Sequence, residues 1–237
     1  MTSRYFEIHP KDPQPRLIKQ AVEIIREGGV VVYPTDSSYA LGCHIGDKGA
    51  MERISRIRQT DKHHHFTLVC RDLSEISKYA RVSNQQYRTL KAFTPGAYTF
   101  LLEATRETPK RLQNPKRRTI GIRVPDHPVP RAILLELDEP IMSSTLILPG
   151  EELPMSDARE IQERLLHQVD AVIDGGNCGF EPTSVIDLAG PAPVVIRRHH
   201  LEGEVRILSG LDAETLTALY AAASPGPFPS PYVGFGI

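Results

Sequence analysis

Apolar positions along the chain change period several times, and each change predicts an element. Residues 16–27 place Leu17, Ile18, Ala21, Ile24 and Ile25 at helical spacing, and Gly28-Gly29 supplies the left-handed residue that ends a helix. The β-branched run Val30-Val31-Val32 follows at once and stops at Pro34, which predicts a buried strand and then a proline-punctuated loop. The alternation recurs. Helical spacing over 48–57 precedes an apolar run at 66–70, and helical stretches at 73–80 and 85–93 precede another at 98–102. Further on, 119–124 reads as a strand, 129–137 as a helix and 140–145 as a strand. Asp157 with Glu160 three residues later marks the start of a helix reaching about residue 167, and strands fit 171–174, 184–188 and 194–197. Such alternation implies an α/β fold, a sheet covered by helices.

The end of the chain differs in kind. After a last predicted helix at 213–223, the segment SPGPFPSPYVGFGI carries Pro225, Pro227, Pro229 and Pro231. Alternating prolines are a weak signal, so an extended, solvated tail is a simpler reading than a proline-motif ligand. The expected organisation is one folded domain over 1–208, followed by a helix and a Pro/Gly-rich tail over 209–237.

Composition narrows the function classes. The chain has 237 residues, 40% hydrophobic and 24% charged, which suits a folded globular domain. Its formal net charge of −1 lacks the overall basic excess of a dedicated nucleic-acid binder, so any nucleic-acid contact must come from a local patch. Cys43, Cys70 and Cys178 are odd in number and lack CxxC spacing, which argues against a disulfide framework and a cysteine zinc site. The N-terminus has charges and prolines where a signal peptide needs an apolar run, and no stretch of about 18 apolar residues occurs. A cytoplasmic protein without membrane contact is expected.

Four stretches join small hydroxyl or charged side chains to the ends of predicted elements: PTDSSYALG (34–42), RIR (56–58), IRVP (122–125) and SSTLILPG (143–150). Open α/β sheets place ligands at such ends. Thr35, Asp36, Ser37 and Ser38 are also what a strand-to-helix loop uses to cap backbone donors. Arg56 and Arg58 are too close to share one helix face, yet at a helix end they can reach one polyanion from two directions. Arg123 follows an apolar strand and precedes Pro125, where a charge is costly unless an anion pairs with it; a guanidinium fork suits a carboxylate or phosphate. The run His63-His64-His65 cannot aim three rings at one ion from regular structure, so it reads as a polar loop. Neither GxxxxGK[ST], GxGxxG nor GxSxG is present, so chemistry here would rest on dispersed basic and hydroxyl groups rather than a covalent intermediate.

Taken together and in order, GGVVVYPTDSSYALGC, RIRQ with FTLVC, TPGAYTFLL, IGIRVPDHP, MSSTLILPG, PTSVIDL and VVIRR resemble the YrdC-like family, in its YciO-type branch, over residues 28–198. The resemblance implies a twisted, mixed sheet flanked by helices, with an open basic cavity beside Thr35, Arg58, Arg123 and Thr145. The family includes threonylcarbamoyl-AMP synthases, which join L-threonine, bicarbonate and ATP with Mg2+, release pyrophosphate and begin threonylcarbamoyladenosine formation in tRNA. By that resemblance Thr35, Tyr39 and Arg123 would bind the threonine-like ligand, and Arg56, Arg58, Ser143, Thr145, Ser184 and Arg197 the nucleotide and its phosphates. Family members are also credited with double-stranded RNA binding, for which Lys116, Arg117 and Arg118 are the candidate contacts, with a solvated loop as the alternative. Two departures bear on activity. The synthases' K-x-R pair is Arg56-Ile57-Arg58 here, and their S-x-N motif falls on Thr145-Leu146-Ile147, where Ile147 cannot hydrogen-bond.

Overall fold

The computed structural model describes residues 2–59 and 66–197. The His63–His65 run, the predicted helix at 213–223 and the proline-rich tail lie outside the described residues. The elements are β1 (Arg4–Glu7), α1 (Pro15–Arg26), β2 (Val31–Tyr33), β3 (Ala40–His44), α2 (Lys48–Arg58), β4 (Thr67–Val69), α3 (Leu73–Tyr79), α4 (Asn84–Phe93), β5 (Tyr98–Glu103), β6 (Thr119–Arg123), α5 (Pro128–Leu137), β7 (Ile141–Thr145), α6 (Ala158–Leu165), β8 (Ala171–Asp174), β9 (Ser184–Asp187) and β10 (Val194–Arg197), with a short 3-10 turn at Lys110–Leu112. The strands form one mixed sheet in the order β1-β8-β2-β3-β7-β4-β6-β5-β9-β10.

Strand alternation divides the core into two layers. Val30, Val32, Leu41, Leu68, Phe100, Ile122 and Met142 face one side, where α2, α3, α4 and α6 add Ile54, Ile76, Leu90 and Ile161. Val31, Tyr33, Val69, Ile141 and Ile173 face the other, under Ile18, Val22 and Ile25 of α1 and Val129, Ile133 and Leu137 of α5. The second layer stops short of β5, β6 and β9. On that stretch, which α1 and α5 do not reach, the same face carries Thr67, Gly121 and Thr99, which the registers Thr67↔Gly121 and Leu101↔Gly121 bring side by side. A Cβ on Gly121 would lie 3.3 Å from Thr67 Oγ1 and 3.4 Å from Thr99 Cγ2, so the glycine lets the two threonine side chains approach each other.

The expected helices formed close to their predicted bounds, each with a local cause. Asp47, Asp72 and Ser83 cap α2, α3 and α4, and Asp157 accepts the Arg159 and Glu160 N–H groups at 2.9 Å to start α6. Two strands went unpredicted. The segment read as a strand-to-helix loop turns back as β3, antiparallel to β2 with Tyr33 opposite Ala40. The reason is Gly42: a Cβ there would lie 2.7 Å from the Tyr33 ring, so only glycine lets that ring cross β3. β1 was hidden by its length, four residues with only Phe6 buried, and pairs in parallel with β8 across most of the chain.

Candidate functional site

The loop after β2 is built around Thr35. Its hydroxyl donates to the Ser38 carbonyl at 2.6 Å and accepts the Ser37 and Ser38 N–H groups at 3.2 Å, closing a tight turn. The turn aims Asp36 at Arg123, whose Nη2 donates to Asp36 Oδ1 and, at 3.4 Å, to Thr35 Oγ1. Asp36 Oδ2 also accepts the Asp126 N–H at 3.1 Å. Arg123 is only 7% exposed, so the anion that its burial demands is supplied from within the chain. Arg123 Nε is nonetheless buried without a partner among the described residues. Beside it, the Tyr33 and Ser143 hydroxyls share a buried hydrogen bond of 2.7 Å. Burial pushes the Tyr33 phenol up to about 12, with the Ser143 bond and the Arg123 charge acting in the opposite direction. His127 caps α5 through Nδ1, and burial lowers its pKa against the raising influence of Asp36 and Asp126.

A glycine-rich loop after β8 packs directly on this turn. Tyr39 is wholly buried, and its hydroxyl donates to the Gly176 carbonyl at 2.8 Å while accepting the Gly175 N–H at 3.4 Å. A Cβ on Gly179 would sit 2.8 Å from the Ser37 carbonyl oxygen, so the two backbones touch. Cys178 bonds the Thr35 backbone, and burial raises its thiol to about 11. The loop ends at Thr183, buried, whose hydroxyl meets that of Thr99 at 2.9 Å.

Thr183 leads to a second group of charges. Arg197 donates through Nε to the Thr183 carbonyl at 3.0 Å and through Nη2 to its hydroxyl at 3.3 Å. Arg58, in the last turn of α2, donates to Ser144 Oγ at 2.5 Å. Burial lowers the Arg58 pKa, and the positive charge of Arg197 lowers it further, so these guanidiniums are near enough to repel.

The residues singled out in the sequence divide accordingly. Thr35 and Arg123 meet at one end, Arg58 and Arg197 at the other, and the Ser143-Ser144 pair lies between them on β7, one hydroxyl serving each end. Thr145, half-buried, closes β7 opposite Ala40. Tyr39 serves the glycine loop. Arg56 is exposed, a direct result of sitting two residues from Arg58 on a helix. Ser184 is fully buried in register with Tyr98, on the sheet face of Ile186. Lys116, Arg117 and Arg118 lie exposed on a turn that Asn114 organises, and Arg117 is held by Asp187 at 2.5 Å. Asp36, Thr99, Ser144 and Thr183 were not assigned a ligand-facing role from the sequence. Alternation along β9 was the available signal for Thr183, since a buried Ser184 turns its neighbour to the other face.

This arrangement is a mixed-sheet α/β fold with hydroxyl groups and arginines gathered at the ends of its strands. The family model Sua5_yciO_yrdC, described as telomere recombination, matches residues 23–199, and the chain belongs to the Sua5/YciO/YrdC family. It is 58% identical over 195 residues to the uncharacterized protein YciO of Escherichia coli, covering 82% of this chain and 95% of that one. The crystal structure of E. coli YciO superposes with a TM-score of 0.82 at 56% identity, over 87% of this chain and 100% of the other. The threonylcarbamoyl-AMP synthase of Bacillus subtilis is 29% identical over 203 residues, 83% of this chain but 58% of the synthase. Pyrococcus abyssi Sua5 complexed with L-threonine shares the fold, with a TM-score of 0.79 at 21% identity over 93% of this chain and 62% of that one. No helix among the described residues is long and apolar enough to cross a membrane.

Proposed function

We propose that the protein binds ATP and a threonine-like amino acid and carries out threonylcarbamoyl-AMP synthase-type chemistry, at a rate altered by its own departures from the synthases. The observation that carries this reading is a buried Arg123, whose Nε has no partner among the described residues, at one end of the site and Arg58 with Arg197 at the other, linked by the adjacent Ser143 and Ser144 of β7. In this reading the triphosphate oxygens accept from Arg58 and Arg197, and Thr145, Ser144 and Thr183 donate hydroxyls to them. The ligand carboxylate takes N–H donors of Arg123 other than those that meet Asp36 and Thr35. A carbamate oxygen then attacks the α-phosphorus and pyrophosphate leaves, a step that needs alignment and charge stabilisation more than an acid or base from the protein. Magnesium would come bound to the phosphates; among the described residues no three His, Cys, Asp or Glu side chains are grouped to hold an ion. Ile147, half-buried just beyond Thr145, replaces a polar contact and is the expected source of altered activity.

Pyrophosphate release from ATP, measured with and without threonine and bicarbonate beside Arg58→Ala, tests the reading. Threonine-dependent release abolished by the substitution supports it. Binding of ATP without release leaves a nucleotide-binding protein, and neither binding nor release overturns the reading.

A second reading rests on the exposed Lys116 and Arg118: contact with the phosphates of double-stranded RNA or tRNA. It requires binding that weakens steeply as salt rises and is reduced by Lys116→Ala with Arg118→Ala.

A further inference from the structure

The glycine loop touches both ends of the site, and its first residues are held through their backbone groups. Gly176 has φ +87° and open space where a Cβ would be, so no side chain of its own fixes it. Its N–H donates to Asp174 Oδ1 at 2.8 Å, and its carbonyl accepts from Tyr39 at 2.8 Å. Asp174 is itself held through its other oxygen, Oδ2, by the Tyr5 hydroxyl of β1 at 2.6 Å. The Arg159 guanidinium lies 5.6 Å from the centre of the Tyr5 ring, so α6 supports that ring from outside.

We infer that the chain Tyr5–Asp174–Gly176–Tyr39 is a positioning device, through which β1 sets the loop that joins the Thr35–Arg123 end of the site to the Thr183–Arg197 end. Tyr5 is a positioning residue, since it acts on the site only through Asp174 and the loop backbone. Two close approaches transmit the position. A Cβ on Gly175 would lie 2.7 Å from Pro34, and Gly179 rests on the Ser37 carbonyl, so a displaced loop moves the Thr35 turn with it. The value of this device to ligand binding rests on the reading of the site given above; the mechanical link does not.

Amide hydrogen exchange on the full chain, comparing the unaltered protein with Tyr5→Phe, tests the link. Phenylalanine keeps the ring and removes one hydrogen bond to a carboxylate, so exchange at Gly176 should quicken about tenfold, with smaller increases at Ser37 and Ser38 and none in the β1–β8 ladder. Tyr39→Phe should quicken the same amides from the other side of the loop. Faster exchange confined to β1 and β8, or no change, overturns the inference, because a merely structural tyrosine moves only its own strand. Global unfolding of Tyr5→Phe would move the test to Tyr39→Phe together with Asp174→Asn, judged by the same amides. An ATP titration of both proteins separates the two readings. A several-fold weaker affinity in Tyr5→Phe supports the device as a binding control, whereas absence of ATP binding by the unaltered protein counts against the proposed function and leaves the exchange result standing.

Discussion

Arg123 and Arg58 are both arginines at the end of an element, and the fold treats them in opposite ways. Arg123 is buried at the end of a strand and is matched by Asp36, so its charge is balanced before any ligand arrives. Arg58 ends a helix, donates to a serine hydroxyl and is pressed by the charge of Arg197. The first arrangement fixes geometry, and the second is where the proposed nucleotide phosphates would lie. Stability is therefore expected to reside at the Arg123 end, and ligand affinity at the Arg58 end.

That division is open to direct attack. The largest effect is expected from Arg123→Met, which strands the Asp36 carboxylate in a buried place and should cost about 3–5 kcal/mol in urea unfolding. Adding Asp36→Asn should recover part of the loss; a single-substitution cost below about 1 kcal/mol would mean that the pair is not acting as a buried one. Arg58→Met should do the reverse, leaving the unfolding midpoint unchanged or slightly higher while weakening ATP binding about tenfold or more by calorimetry. If it unfolds the protein instead, the contrast between the two arginines fails.

A smaller, pH-dependent effect is expected at His127. Burial depresses its folded pKa below the ordinary value of 6.5, so the unfolded chain takes up the proton first as pH falls. Its contribution to stability is complete above 6.5 and is lost as pH drops from there toward the folded pKa. Melting temperatures at pH 7.5 and 5.5 should therefore differ less in His127→Asn, which keeps a capping acceptor without the titration. The smallest effect is that of Ile147→Asn, which restores a polar contact and should tighten ATP binding by about two- to fivefold. No gain in affinity would show that residue 147 does not address the nucleotide.

Much of this was legible in the sequence, for identifiable reasons. α1, α5 and β6 carry apolar residues at a single clear period, and the order of motifs from PTDSSYALGC to VVIRR points to the family before any coordinates. The need of Arg123 for an anion could also be read from its place between an apolar strand and a proline. Its partner could not, because Asp36 lies 87 residues away and looks like an ordinary turn residue. β3 stayed hidden because Gly42 reads as a strand breaker until the Tyr33 ring is seen to cross it. The division of labour between Ser143 and Ser144 depends on which sheet face each occupies, a matter of register that the S-S-T run alone leaves open.

The strand order has a consequence for how the protein is made. β8 inserts between β1 and β2, and β9 lies beyond β5, so two sheet positions are completed only by the last third of the described chain. A ribosome that has released residues up to β7 holds a sheet with unpaired edges at β2 and β5 and a β1 with no neighbour. Such edges invite pairing with other nascent chains, and closing them requires contacts of very long sequence separation, which form slowly. Because β8 leads into the glycine loop, and that loop ends at Thr183 just before β9, the site is assembled in the same late step that seals the sheet, and a truncated chain has neither.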